Sequence, residues 1–222
     1  MKIFFKILIV CVCFIFFFSL LSCNTSIEEM VSCKISETRE NFYYGKKENN
    51  VATFTDGRRE ENYVMDGVCS KLVPYGVIVL WSDRNLGANS KFVLSCKDKS
   101  FSGEFEVNPF DGSLVADIGS LIGEVDSLLL NIVDANLSIT LENLSASWPT
   151  TCSKALNIFT QAKKNILKSY VKQGDLKGEI YIKIVSDKRD SQNIYYYALF
   201  VAQDSNTYAT LIDVHSSQIV QS

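Results

Sequence analysis

The sequence predicts an α+β protein in which a helix packs on an antiparallel sheet of three to four strands, and this unit reads as a duplicate. Three observations point there. Near the C-terminus Ala155, Phe159, Ala162, Ile166 and Tyr170 recur at steps of three or four, tracing one apolar helical face. Three segments of strand character follow that helix. A similar order of strand-like segments occurs upstream, between about Gly76 and Val107.

The helix over this face is off-set by Lys163, Lys164 and Lys168, and Gly174 supplies a stop. Ile180, Ile182 and Ile184 then alternate with Tyr181, Lys183 and Val185. Tyr195 to Ala202 is apolar on both faces, as a covered central strand is. After the turn residues Asp204-Ser205-Asn206, the residues Tyr208, Thr210, Ile212 and Val214 form a third alternating run. Upstream, Gly76–Arg84 parallels Gly178–Lys188, and the runs 91–97 and 101–107 parallel the next two strands. Arg58–Lys71 is the matching helix in this reading; chance similarity between hairpins is the alternative to duplication. Between the copies, Leu121, Ile122, Val125, Leu128, Leu129, Ile132 and Val133 trace a second helical face, and Leu137–Leu141 alternates as a strand.

The chain therefore divides into a leader (1–22), a polar tether (23–41), a first α+β module (42–116), a helix–strand connection (117–150) and a second α+β module (151–222). The leader begins with Lys2 and Lys6 and continues with 15 uncharged residues, Ile7 to Leu21. That length suits a signal peptide and falls short of the roughly 20 residues a membrane-spanning helix needs. Leu20 fits poorly with ordinary signal peptidase, which wants a small residue there.

Leu20-Leu21-Ser22-Cys23 resembles the lipobox of bacterial lipoproteins. The resemblance implies cleavage between Ser22 and Cys23 and diacylglycerol on the Cys23 thiol. It thus implies anchoring to a membrane by lipid, facing the periplasm or the cell exterior. Two or three acyl chains make a stable anchor where one is marginal.

Removal of residues 1–22 leaves 200 residues with 20 Lys+Arg against 25 Asp+Glu, a net charge of −5. No basic run exceeds two residues, which argues against nucleic acid as a partner. Cys33, Cys69, Cys96 and Cys152 remain beside Cys23. In an exported chain these four suggest two disulfides, with three connectivities open; four free thiols are the alternative. Their wide spacing, without a Cys-x-x-Cys pair, offers no zinc site.

The segment from Cys152 to Ser222 resembles a PepSY domain, a small module with one helix on an antiparallel sheet. The resemblance lies in the helix with Ala155-Leu156, in the strand Tyr195–Val201 meeting a turn at Asp204, and in Leu211-Ile212-Asp213-Val214 before Ile219-Val220. The family's Thr-Gly turn is replaced by Ser216-Ser217. The resemblance implies a binding role toward peptidases.

Catalytic signals are sparse. His215 is the single histidine, so any histidine-dependent triad must use it, and a multi-histidine metal site is ruled out. Ser169-x-x-Lys172 has a penicillin-recognising spacing but lacks the companion motifs. No glycine loop for phosphate and no cofactor motif is present. Tyr181, Tyr196 and Tyr208 are the candidate binding surface for a peptide or glycan, with cross-strand packing as the alternative. The expectation is a lipid-anchored, non-catalytic binding or regulatory protein that acts on a protein or peptide and takes no cofactor. A structural or host-facing surface lipoprotein is the second reading, and an envelope hydrolase the third.

Overall fold

The computed structural model describes residues 25–61, 70–83, 86–97, 99–120, 122–187 and 190–221. It corrects the fold class: the chain is mostly β, about 55% strand and 15% helix, and its main sheet has thirteen strands forming a nearly closed barrel-like body.

In chain order, α1 (Ile27–Ser32) leads into the long β1 (Ile35–Lys47) and β2 (Asn50–Glu60). Then come β3 (Leu72–Trp81), β4 (Lys91–Cys96), β5 (Lys99–Glu104), β6 (Glu106–Val107), β7 (Leu114–Ile118), β8 (Ser127–Ile132) and β9 (Leu137–Asn143). Two helices, α2 (Cys152–Ala162) and α3 (Lys164–Ser169), precede β10 (Val171–Lys172) and β11 (Asp175–Leu176). The chain finishes with β12 (Gly178–Asp187), β13 (Asp190–Ala202), β14 (Thr207–Asp213) and β15 (Ile219–Gln221).

The β1–β2 hairpin is the trunk. It closes at Lys47↔Asn50, with Glu48 at φ 56° in the turn. On one side, β2 pairs β3, β3 pairs β7 and β7 pairs β6. On the other, β1 forks: Ile35, Glu37 and Thr38 pair parallel with β12, whereas Tyr43 and Tyr44 pair antiparallel with β9. The β9 branch continues through β8 and β4 to β5. Only Phe105 separates β5 from β6, so the two branch ends meet and nearly close the barrel. The β12 branch is an antiparallel run, β12-β13-β14-β15, covered by the helices.

Alternation along β1 feeds both cores. Tyr43 points into the barrel with Phe54, Ile78, Leu80, Phe92, Leu94, Leu130 and Ile139. Its neighbour Phe42 points the opposite way, under the helices, with Trp148, Phe159, Ile180, Tyr196, Phe200 and Ile212. Gly45 lets β9 approach: a Cβ there would collide with the Thr140 carbonyl oxygen and Leu141.

Several sequence expectations change here. Residues 27–41 are not a tether. Ser26 caps α1 in a capping box with Glu29, Ile27 and Val31 are buried, and β1 starts at Ile35. In place of the expected helix, residues 122–126 form a bend and β8 follows, because Leu128, Leu130 and Ile132 face the barrel while Leu129 faces out; Leu121 lies outside the described residues. Gly123, at φ 83°, also takes a conformation foreign to a helix.

Arg58–Glu60 of the expected first helix belongs to β2, and the part from Asn62 to Cys69 lies outside the described residues. The duplication does not extend to pairing. The strands β12, β13 and β14 are hydrogen-bonded neighbours in succession, whereas β3 pairs β2 and β7, and β4 pairs β5 and β8. The C-terminal helix and three strands do form where the periodicity puts them, with the helix broken at Lys163.

Asp56 ties the hairpin to the β7–β8 turn. It is fully buried, and its carboxylate accepts Asn41 Nδ2 at 2.7 Å, the Ile122 N–H at 3.0 Å and the Gly123 N–H at 3.4 Å. Burial pushes its pKa above the ordinary carboxylate value, against the pull of these donors and of Arg39. Asp56→Ala orphans two backbone N–H groups and should cost about 2–3 kcal/mol in urea unfolding. A raised carboxyl contributes stability that is whole below the unfolded pKa and is lost as pH rises through the folded one. Wild type should therefore lose stability relative to Asp56→Asn as pH rises above the ordinary carboxylate range of about 4; parallel profiles would show that Asp56 does not titrate in the fold.

Candidate functional site

The expected tyrosine surface is not one surface. Tyr181 and Tyr196 are buried, at 0% and 1% exposure, on opposite faces of the sheet. Tyr196 lies among the helix-side residues and meets the edge of Trp148, with centroids 6.2 Å apart at 87°. Tyr181 packs with Leu199 and Val201 on the other face. Only Tyr208 is partly open, and its hydroxyl is 2.9 Å from that of Tyr170. Covering of both sheet faces turns these aromatic side chains into packing groups.

His215 is exposed, and its ring meets Trp148 edge-on with centroids 6.5 Å apart. Asp213 does not orient that ring. Its Oδ1 accepts the backbone N–H groups of His215 and Ser216 and the Ser216 hydroxyl, forming a turn. Burial raises the Asp213 carboxyl, but these bonds outweigh it and leave the pKa below the ordinary value. Ser217 takes φ 60° and places its hydroxyl 2.7 Å from Thr150 Oγ1.

The cysteines are equally quiet. Cys33, Cys96 and Cys152 are free, and Cys69 lies outside the described residues, so no disulfide joins any two of the described three. Cys96 sits in the barrel core, whereas Cys33 ends α1 and Cys152 begins α2 on the helical side. Cys152 borders an open cleft of about 430 Å³ with Ile35, Thr38, Glu40, Thr151, Ser153 and Leu156. Burial pushes its thiol up to about 12, which keeps it a poor nucleophile at neutral pH.

A charged seam fills the fork where β12 leaves β1. Glu37, 1% exposed, accepts Arg39 Nε at 2.7 Å and Lys183 Nζ at 3.2 Å. The guanidinium groups of Arg39 and Arg59 each contact the Tyr75 ring, at 4.4 and 3.7 Å from its centre. The Ser36 hydroxyl lies 3.1 Å from Glu60 Oε1 and 3.0 Å from Glu179 Oε2. A serine beside carboxylates has the residue types of a nucleophile and base, yet Ser36, Glu60 and Glu179 are at most 1% exposed and offer a substrate no approach. The seam sets strand register. Among the described residues, no group of three or more His, Cys, Asp or Glu is placed to hold a metal ion.

The remaining feature is a residue that the sequence reading missed. Phe110 is 95% exposed at the tip of the β6–β7 turn, Asn108-Pro109-Phe110-Asp111-Gly112. Asn108 Oδ1 accepts the Phe110 N–H at 3.1 Å, and the Asn108 carbonyl accepts the Gly112 N–H at 2.9 Å. Asp111 accepts the Ser113 N–H and hydroxyl at 3.0 and 2.7 Å and Trp81 Nε1 at 3.2 Å. Gly112 adopts φ 72°, and the Pro109 ring restricts its own φ. The result is a pinned turn that holds an aromatic ring in water. The signal in the sequence was Asn-Pro and Asp-Gly flanking one phenylalanine.

No protein-family model, no curated protein and no solved structure matches this chain. The functional reading therefore rests on the geometry and on the expectations set out above.

Two substitutions separate packing from surface. Tyr196→Ala should destabilise the fold by roughly 3–5 kcal/mol, as buried aromatic truncations do. Tyr208→Ala, at a partly open site, should cost clearly less. Equal losses in chemical denaturation would contradict the different burial of the two rings.

Proposed function

We propose that the mature chain is a lipid-anchored, non-catalytic binding protein of the cell envelope, held by Cys23 and contacting a protein or peptide through Phe110. The observation that carries this reading is the 95% exposure of Phe110 on a turn pinned from both sides by Asn108 and Asp111. An aromatic ring that gives the fold no packing is available in full to a partner, and pre-organisation lowers the entropy lost on docking. The reading draws support from the quiet surroundings of His215 and the burial of Ser36, neither of which positions a reacting group for substrate. A peptidase is the first partner class to test, because the PepSY resemblance of residues 152–222 implies one. The proposed attachment is the lipid on Cys23, which with the leader lies outside the described residues; among those described, no helix is long and apolar enough to cross a membrane.

Phe110→Ala should leave folding stability within about 0.5 kcal/mol of wild type while weakening the partner complex about 30-fold or more. A photo-reactive phenylalanine analogue at position 110 should yield a discrete cross-linked adduct in cells, and the same analogue at the exposed Val133 or Val220 should not. Indistinguishable adducts from all three positions, or none from position 110, would remove Phe110 as the contact. Intact-mass measurement of the membrane-extracted chain tests the anchor separately; an unmodified Cys23 sinks that part of the reading.

A further inference from the structure

Resting on the lipid-anchored reading above, we infer that the lysine-rich helical layer is a second interaction surface, one that lies against an anionic bilayer and turns the barrel away from it. The first observation is the length of the link. Helix α1 begins at Ile27 with Ser26 as its cap, so only Asn24 and Thr25 stand between the cap and Cys23. Three Cα–Cα steps span at most about 11 Å. The electrostatic screening length at physiological salt is about 8 Å. The cap of α1 is therefore held within about 11 Å of the lipidated residue, little more than one screening length, and is not carried on a long tether.

The second observation is the charge of those elements. Residues 24–34 and 152–177, which include α1, α2, α3, β10 and β11, hold seven lysines against three carboxylates. The rest of the mature chain holds thirteen basic against twenty-two acidic residues. In a protein of net charge −5 these two segments thus carry +4 beside the attachment point, with Glu40 near Cys152 and Asp204 at Tyr170 the carboxylates that border them. The contacts join this patch to α1. Glu28 accepts Gln161 Nε2 at 2.9 Å and lies 3.6 Å from Lys164 Nζ. Lys168 follows Lys164 by one helical turn and is exposed. Lys34, directly after α1, and Lys177 both bridge Asp175, at 2.9 and 2.8 Å, and the exposed Lys172 pairs with Asp175 across the β10–β11 ladder.

A positive face next to the anchor and a negative body beyond it orient the molecule on a surface of phosphate-bearing lipid: the near face is attracted and the far end repelled. The opposite end of the hairpin, near Trp81 and the Phe110 turn, is then presented outward.

The test uses the mature lipoprotein reconstituted into vesicles of phosphatidylglycerol with phosphatidylcholine and, separately, of phosphatidylcholine alone. An amine-reactive reagent and peptide mass spectrometry report the labelling rate of each lysine. Lys168 and Lys172 should be labelled about fivefold more slowly on the anionic vesicles, and this protection should disappear in about 1 M salt, where screening shortens to about 3 Å. Lys46 and Lys47, exposed at the far hairpin turn, should react alike on both vesicles. The Lys168→Gln/Lys172→Gln double variant, altered only at exposed positions, should lose the anionic protection of Lys164 while remaining anchored. Equal labelling of Lys168 and Lys172 on the two vesicles, with lipid present on Cys23 by mass, overturns the orientation alone. Absence of lipid on Cys23 overturns the anchoring and the orientation together.

Discussion

One strand serves two cores. Along β1, Phe42 and Tyr43 are adjacent in sequence and opposite in direction, so each core receives one of them. Phe42 stacks on Trp148 at 5.7 Å beneath the helices, while Tyr43 meets Phe54 at 5.7 Å inside the barrel and donates its hydroxyl to the Gly123 carbonyl at 2.9 Å. A slip of one residue in β1 would exchange the two rings and expel both from their pockets. The β1–β2 register is thus constrained from both faces at once, and the branches inherit it.

Polar groups reinforce that constraint at the places where apolar packing is least directional. The charged seam of Glu37, Arg39, Tyr75 and Lys183 occupies the fork at which β12 departs and β9 takes over. Buried charges of this kind add little net stability relative to apolar packing, but a misregistered strand would leave them uncompensated, which is costly. Asp56 does the same for the β7–β8 turn, where it gathers backbone N–H groups with no strand partner. With the interior so committed, the groups available to other molecules lie at the periphery: a phenylalanine on a pinned turn and lysines on the helical layer.

The misreadings of the sequence share one cause. Leu128-Leu129-Leu130 fits a helical face and a strand equally well, and the choice is made by β4 and β9, which pair with β8 from distant parts of the chain. Ile27 and Val31 look like scattered apolar residues in a polar run until the C-terminal helices and strands supply the surface that buries them. Tyr181 on β12 and Tyr196 on β13 point to opposite faces of the sheet, and the tertiary structure covers both faces. The β2 strand was hidden for a related reason. It is buried on both faces while carrying Thr53, Thr55 and Asp56, so it shows neither an apolar run nor a clean alternation.

By itself the sequence determined the local elements whose periodicity is self-sufficient: the helix carrying Ala155 and Phe159 and the strands β12 to β14 after it. It also determined the single histidine, the lack of a basic run and the uneven placement of lysine, since these are properties of composition and order. The tertiary structure alone decided that β1 would be shared, that residues 27–41 would enter the fold, and which tyrosines would be core. Burial is a property of partners brought together from far along the chain, so a period of two or 3.6 states which residues share a face but not what covers it. The exposure of Phe110 belongs to the second group as well: its turn was written in Asn108, Pro109 and Gly112, but only the assembled barrel left the ring facing water.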